Sequence, residues 1–232
     1  MHEWYAAPME GLTGWRWRQV QHEMFGRAAL YVTPFVSPNG NFSFQRKELE
    51  ELDPERNRGI PVVPQILTNR AEYFVWAAKE CRSRGWAQVD LNLGCPSGTV
   101  TGKKKGAGLL RQPELLRQLL DGIFDALPDM KISVKTRIGW ERAEEWPALL
   151  ALLETYPICR LTVHPRVRTQ FYKGTADREV FRWTAEHTAL PLCYNGDVTT
   201  VRDLWEMGEA FPDDAVTVSY THLRAHETPE HL

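Results

Sequence analysis

The chain has 232 residues, 43% of them hydrophobic, enough to bury one sizeable core and in keeping with a single domain. Its formal net charge of −2 excludes a general basic field for nucleic acid, so any RNA contact must come from local clusters such as Lys103-Lys104-Lys105. Cys81, Cys95, Cys159 and Cys193 form no C-x-x-C pair, which argues against a zinc site or disulfide framework and makes a reducing cytoplasm the default setting, with no metal expected.

The N-terminal Met1-His2-Glu3-Trp4-Tyr5 lacks the basic and apolar regions of a signal peptide, and no apolar run approaches the roughly 18 residues of a membrane span. A soluble chain without a membrane segment is expected. Short β-branched or apolar runs then predict strands at Tyr5–Met9, Ala29–Thr33, Val62–Ile66, Gln88–Asn92, Lys131–Thr136, Arg160–His164 and Leu192–Asn195, with an eighth candidate at Ala215–Val218. Helical periods lie between several of them. Phe74, Ala77, Ala78 and Cys81 share one face; Leu115, Leu116, Leu119, Leu120, Ile123, Phe124 and Leu127 share another, opened by Pro113. A helix over Thr200–Met207 reads as ending at Gly208, a C′ glycine. The last stretch, Ser219–Leu232, holds three of the seven histidines and no period, and reads as a disordered tail foreign to the fold.

Repeated βα units imply a parallel sheet, either a closed (β/α)₈ barrel or an open doubly wound sheet. Periodicity alone does not choose between them. The polar residues favour the barrel, because six strand ends carry useful chemistry: Pro8-Met9-Glu10-Gly11, Gln65, Asn92 before Gly94-Cys95-Pro96, Lys135 with Arg137, His164, and Asn195-Gly196-Asp197. A barrel gathers all strand C-termini on one face, where active sites are built.

Read residue by residue, the chemistry leaves alternatives open. Cys95 at a barrel mouth is either a catalytic thiol or a small buried hydrophobe. Asn92 at a strand end either binds a ligand or stabilises a turn. Lys135 in an otherwise apolar strand calls for a partner, and an ion pair is the simplest one. His164 alone would be structural, and Lys103–Lys105 a solvated loop.

The stretch Asp90-Leu-Asn-Leu-Gly-Cys-Pro-Ser-Gly-Thr-Val-Thr-Gly-Lys-Lys-Lys-Gly-Ala-Gly-Leu-Leu110 resembles the signature of tRNA-dihydrouridine synthases. Five further blocks follow the family's order: Ala7–Thr13, Pro64-Gln65, Val134–Trp140, Leu161–Arg166 with Tyr172-Lys173-Gly174, and finally Asn195-Gly196-Asp197. The resemblance runs from about residue 5 to residue 200. It implies an FMN-binding barrel that reduces the C5=C6 bond of uridine in tRNA, with NADPH or NADH restoring the flavin. It also implies that Cys95 donates the proton to C5 after hydride reaches C6, and a thiol with a pKa near ~8.5 is mostly protonated at neutral pH. By the same resemblance Pro8, Met9, Glu10 and Gln65 cover the flavin, Lys135 meets its N1/C2=O edge, and His164 lies close to the ring. Asn195-Gly196-Asp197 would help hold the phosphate, since glycine lets the backbone approach it. Asn92, Arg137, Arg166 and Tyr172 are implied to meet the RNA.

Two departures stand out. The family's Gly-Arg pair after the eighth strand, which clasps the FMN phosphate, is absent where Val216-Thr217-Val218 runs into Ser219-Tyr220. His164-Pro165 replaces the usual His-Gly. The expectation is therefore a catalytic barrel over 1–218, incomplete at its C-terminus and without the helical domain that grips tRNA, followed by the tail 219–232. The oligomeric state is not legible, and a monomer is the default. The rival readings are another FMN barrel acting on a small molecule, of the dihydroorotate dehydrogenase kind, and an inactive barrel.

Overall fold

The computed structural model describes residues 4–25 and 27–218. The expected tail at 219–232 lies outside the described residues. Nine strand segments, all parallel, follow the order β3-β2-β1-β9-β8-β7-β6-β5-β4. They are β1 (Trp4–Ala6), β2 (Leu30–Val32), β3 (Val62–Val63), β4 (Gln65–Ile66), β5 (Gln88–Leu93), β6 (Lys131–Arg137), β7 (Arg160–His164), β8 (Leu192–Asn195) and β9 (Ala215–Val218).

The two outer members of that order, β3 and β4, are one strand interrupted by Pro64. Proline has no N–H for the ladder, yet its carbonyl accepts from Asp90 N (2.8 Å), while Val63 O accepts from Thr33 N (3.1 Å). One run of chain thus pairs with β2 on one side and β5 on the other, and the sheet closes into an eight-stranded barrel. The open doubly wound alternative is set aside. The strands expected from the sequence fall in place, with the first shortened because Pro8 cannot continue it.

Alternation within the strands sorts the two faces. Val89, Leu91, Leu93, Ile132, Val134, Leu161 and Val163 are buried in the main apolar cluster with the helices. That cluster includes Phe74, Ala77, Ala78 and Cys81 of α3 (Ala71–Ser83) and Leu116, Leu119, Leu120 and Ile123 of α5 (Pro113–Ala126), as the helical periods required. The residues between them, Asp90, Asn92, Ser133, Lys135 and Thr162, face the barrel interior, so the lumen is polar.

Among the described residues five α-helices were not among the sequence expectations: α1 (Trp15–Met24), α2 (Arg46–Glu51), α4 (Gly98–Thr101), α6 (Trp146–Leu153) and α7 (Arg178–His187). α1 escapes a periodicity search because its buried side is Arg18 and Gln21 rather than aliphatic. Gly208 is not a C′ residue. Helix α8 (Val201–Ala210) passes through it and ends at Phe211, and the stop is Pro212, which disfavours helical backbone in the residue before it.

Candidate active site

The C-terminal ends of the strands enclose a cavity of about 240 Å³ lined by Pro8, Met9, Glu10, Phe35, Gln65, Asn92, Gly94, Cys95, Pro96, Lys135, Arg137, His164 and Tyr172. Ten of the fourteen residues singled out in the sequence meet there. Asn195 touches the group through Lys135; Arg166, Gly196 and Asp197 lie behind it.

The order of the site comes from a one-way hydrogen-bond chain. Asn92, at the end of β5, accepts from the backbone N–H of Gly94 (3.1 Å) and Cys95 (2.9 Å), which fixes the turn carrying the thiol. Its amide donates to Gln65 Oε1 (2.7 Å), and Gln65 Nε2 donates to Asp90 Oδ2 (2.8 Å). Ser133 Oγ donates to the other Asp90 oxygen (2.7 Å). Asp90 was not singled out, although its place two residues before Asn92 puts it on the same face of the strand. Asn92 thus does stabilise a turn, and one of its two amide hydrogens remains for a ligand.

The cavity is electropositive at its floor. Lys135 Nζ donates to Asn195 Oδ1 (2.7 Å), a neutral partner, and among the described residues the ion pair open to Lys135 is not formed. Burial, reinforced by Arg137, brings the lysine down to about 8. Arg137 is itself spent largely on scaffolding: Nε donates to Gly94 O (3.0 Å) and Nη1 to Val167 O (3.1 Å), with the guanidinium 5.5 Å from the Tyr172 ring. Tyr172 is 73% exposed and stands at the rim, 6.3 Å from the His164 ring. The Cys95 thiol is pushed up by burial and by Glu10, against the opposing pull of Arg137 and Lys135. It therefore holds its proton at neutral pH.

Three expected roles meet different surroundings. Arg166, expected at the RNA, is only 3% exposed and bound by protein acceptors on both Nη atoms. Asp197, expected near a phosphate, accepts from Arg166 Nη2 (2.7 Å) and Ala176 N (2.6 Å). Gly196 owes its lack of a side chain to packing, since a Cβ there would stand 2.6 Å from Ala176 Cβ and 3.3 Å from Tyr194 Oη. Gly196→Ala is expected to cost about 1–3 kcal/mol by overpacking, and adding Ala176→Gly should recover most of it in thermal denaturation. A Gly196→Ala protein as stable as the parent would remove the steric reading.

In the lysine run, Lys103 and Lys104 are exposed, but Lys105 turns inward and donates to Ser37 Oγ (3.0 Å). Two residues that the sequence did not mark help hold the Cys95 loop or the cavity. Arg168 donates to Pro96 O (3.1 Å) and Thr101 Oγ1 (3.2 Å), its guanidinium lying over both Trp140 and Phe171. Phe35 lines the cavity from the loop after β2, and no local sequence signal marks it. Among the described residues, no cluster of His, Cys, Asp and Glu is placed to hold a metal ion, and no helix is long and apolar enough to cross a membrane.

Residues 5–225 match the family described as dihydrouridine synthase. The chain belongs to that family. The match continues past Val218, where the sequence reading had placed the end of the family-like barrel. A probable tRNA-dihydrouridine synthase of Rhizobium leguminosarum bv. phaseoli is 32% identical over 213 residues, which is 91% of this chain and 66% of that protein. A probable tRNA-dihydrouridine synthase of Rickettsia conorii is 30% identical over 194 residues, 83% of this chain and 58% of that one. The chain thus spans less than two thirds of the length of these dihydrouridine synthase relatives. Among solved structures, morphinone reductase superposes with a TM-score of 0.61 at 11% identity, over 93% of this chain and 81% of that one. QR15, an aldolase, does so with a TM-score of 0.61 at 13% identity, over 96% and 91%. These likenesses concern the barrel fold alone.

Proposed function

We propose that the protein is an FMN-dependent tRNA-dihydrouridine synthase that adds a hydride and a proton across the C5=C6 bond of uridine in tRNA, with NADPH as reductant. The observation that carries this reading is the convergence of a protonated Cys95, the Lys135 ammonium and the buried His164 ring on one cavity in a chain of this family. At about 240 Å³ the cavity is smaller than the ~300–1,000 Å³ of whole ligand sites. It suits a ring system, with the rest of the ligand leaving through the mouth. The residues present fit a flavin ring: His164 Nδ1 has no hydrogen-bond partner among the described residues, and Pro8, Met9, Glu10 and Gln65 wall the opposite side.

A bound FMN would supply hydride to C6 of the uracil. Lys135 places positive charge at the ring edge, where charge accumulates on reduction. Cys95, held by the Asn92 turn, delivers its proton to C5. Tyr172 at the rim packs against the base, and the spare Asn92 N–H marks the uracil edge. Arg137, Lys103 and Lys104 supply local positive charge on this face. The catalytic unit is the barrel over 1–218, and its site of action is the cytoplasm.

The reading is tested by titrating the protein with FMN and following quenching of flavin fluorescence, with Lys135→Met as the control. Saturable FMN binding, weakened at least 10-fold in the variant, is expected. Absence of binding, or equal binding by both proteins, would reject the flavin site. Incubation with tRNA against free uridine then separates a tRNA enzyme from a small-molecule oxidoreductase.

A further inference from the structure

His164, Pro165 and Arg166 make a tight reversal in which Arg166 N donates to His164 O (2.7 Å). Proline's fixed φ suits the middle of such a three-residue turn. The Arg166 side chain consequently folds back on its neighbour, with Nη1 2.9 Å from His164 Nε2. Its other terminal nitrogen, Nη2, lies 2.7 Å from each Asp197 carboxylate oxygen and 2.7 Å from Gly174 O. His164 and Arg166 are 7% and 3% exposed.

A guanidinium donates but never accepts, and it stays charged in proteins. His164 Nε2 must therefore offer its lone pair to Arg166, and the single proton of the neutral ring sits on Nδ1. Among the described residues Nδ1 has no partner, and the side chain lines the cavity. We propose that Arg166, clamped by Asp197, is a positioning residue that locks His164 as a neutral N–H donor aimed at the cavity's ligand.

The charged groups around the ring agree. Lys135 and Arg137 of β6 and Arg166 on the following turn are all cations, and with burial they hold the imidazole well below its ordinary value. The carboxylate on this side, Asp197, is occupied by Arg166, and the Tyr172 ring covers another face. His164 is thus neither a base nor a proton shuttle in the neutral range, in agreement with Cys95 as the proton source of the proposed reaction. The ligand edge it meets must be a hydrogen-bond acceptor, such as a carbonyl or an unprotonated ring nitrogen. This last clause rests on the flavin reading; the state of the ring does not.

The test is ¹⁵N NMR of histidine-labelled apo protein, with His164→Gln to assign its signals among the seven histidines. A protonated Nδ1, an unprotonated Nε2 and no titration between about pH 5 and 8 are expected. In Arg166→Met, burial together with Lys135 and Arg137 should still keep the ring neutral, but its proton should no longer be confined to Nδ1, and the Nε2-protonated tautomer should appear. Arg166→Lys, which keeps the charge and a donor, should retain the parent's tautomer. A proton on Nε2 in the parent protein, or an unchanged ring in Arg166→Met, overturns the proposal. Should Arg166→Met fail to fold, the parent spectrum and Arg166→Lys still decide. Because no flavin is needed, failure here is distinct from failure to bind FMN.

Discussion

Replacing Cys95 with alanine in a chain of the relatives' full length is expected to lower dihydrouridine formation by about 10²–10⁴-fold, the usual contribution of a general acid. FMN binding and oxidation of NADPH should survive. The separation follows from geometry and charge. The thiol lies at the cavity, its turn is pinned through Asn92 by the chain of amides that ends at Asp90, and burial keeps it protonated. On the proposed reaction it has nothing to do when hydride arrives at the cofactor, and it would be needed only when charge develops at C5. Dihydrouridine is measured by mass spectrometry of digested tRNA, and NADPH oxidation by absorbance with an artificial acceptor. Near-normal tRNA reduction by the alanine protein would relegate Cys95 to packing. Loss of both activities would make it a structural part of the flavin site.

The second large effect lies away from the cavity. Glu51→Ala is expected to destabilise the protein by about 3–5 kcal/mol, the cost of leaving a buried charge without its partner. For a chain of this size that lowers Tm by roughly 6–20 °C. Arg18 is fully buried, and its Nη1 donates to Glu51 Oε2 (2.9 Å) and to Thr13 O (3.0 Å). Its Nη2 donates to Glu51 O (3.3 Å) and to Asn57 Oδ1 (2.8 Å), and Trp15 N donates to Glu51 Oε1 (3.2 Å). This clip ties α1 and α2 to the turn at Met9–Thr13, which begins at the cavity wall. Replacing the pair together, as Arg18→Met with Glu51→Leu, should recover much of the loss because no charge is then stranded. Thermal denaturation beside the surface control Glu55→Ala decides the matter. A Glu51→Ala protein as stable as that control would mean the clip contributes nothing.

The two clips also mark where reading the sequence runs out. The barrel was legible because strands and helices keep different periods, and because Gln65, Asn92, Lys135, His164 and Asn195 all stand at the ends of such strands. Their convergence follows once the sheet is closed. What an arginine will hold is not legible in the same way. Arg18 meets Glu51 across 33 residues, and Arg166 meets Asp197 across 31. Only the tertiary fold brings those partners together. Arg166 was therefore expected at the RNA by resemblance, and Asp197 at a phosphate by resemblance and its place after a strand, without sight of these partners. Gly196 shows the same limit. A glycine at a strand end fits a close approach to a ligand and a close approach to Ala176 equally well, and the second comes into view only with the 2.6 Å Cβ distance. Asp90 was legible in principle, being on the inward register of β5, but a carboxylate inside a barrel attracts attention only when its amide partners are seen.

The barrel wall is uneven around its circumference. β5 and β6 pair over six residues and β6 and β7 over five, whereas β1 with β2 and β2 with β3 pair over two each, and Pro64 interrupts the ladder nearby. Asn92, Lys135, Arg137 and His164 stand on the long-paired arc; Pro8, Met9, Glu10 and Phe35 come from the short-paired one. On the proposed function, the polar groups that meet cofactor and base are thus carried by an anvil, and the surfaces that would accommodate a ligand's outline by a yielding jaw. Such a division would let the outline of the cavity change without disturbing the alignment of thiol, ammonium and imidazole, since changes in shape can be absorbed where few ladder bonds must move.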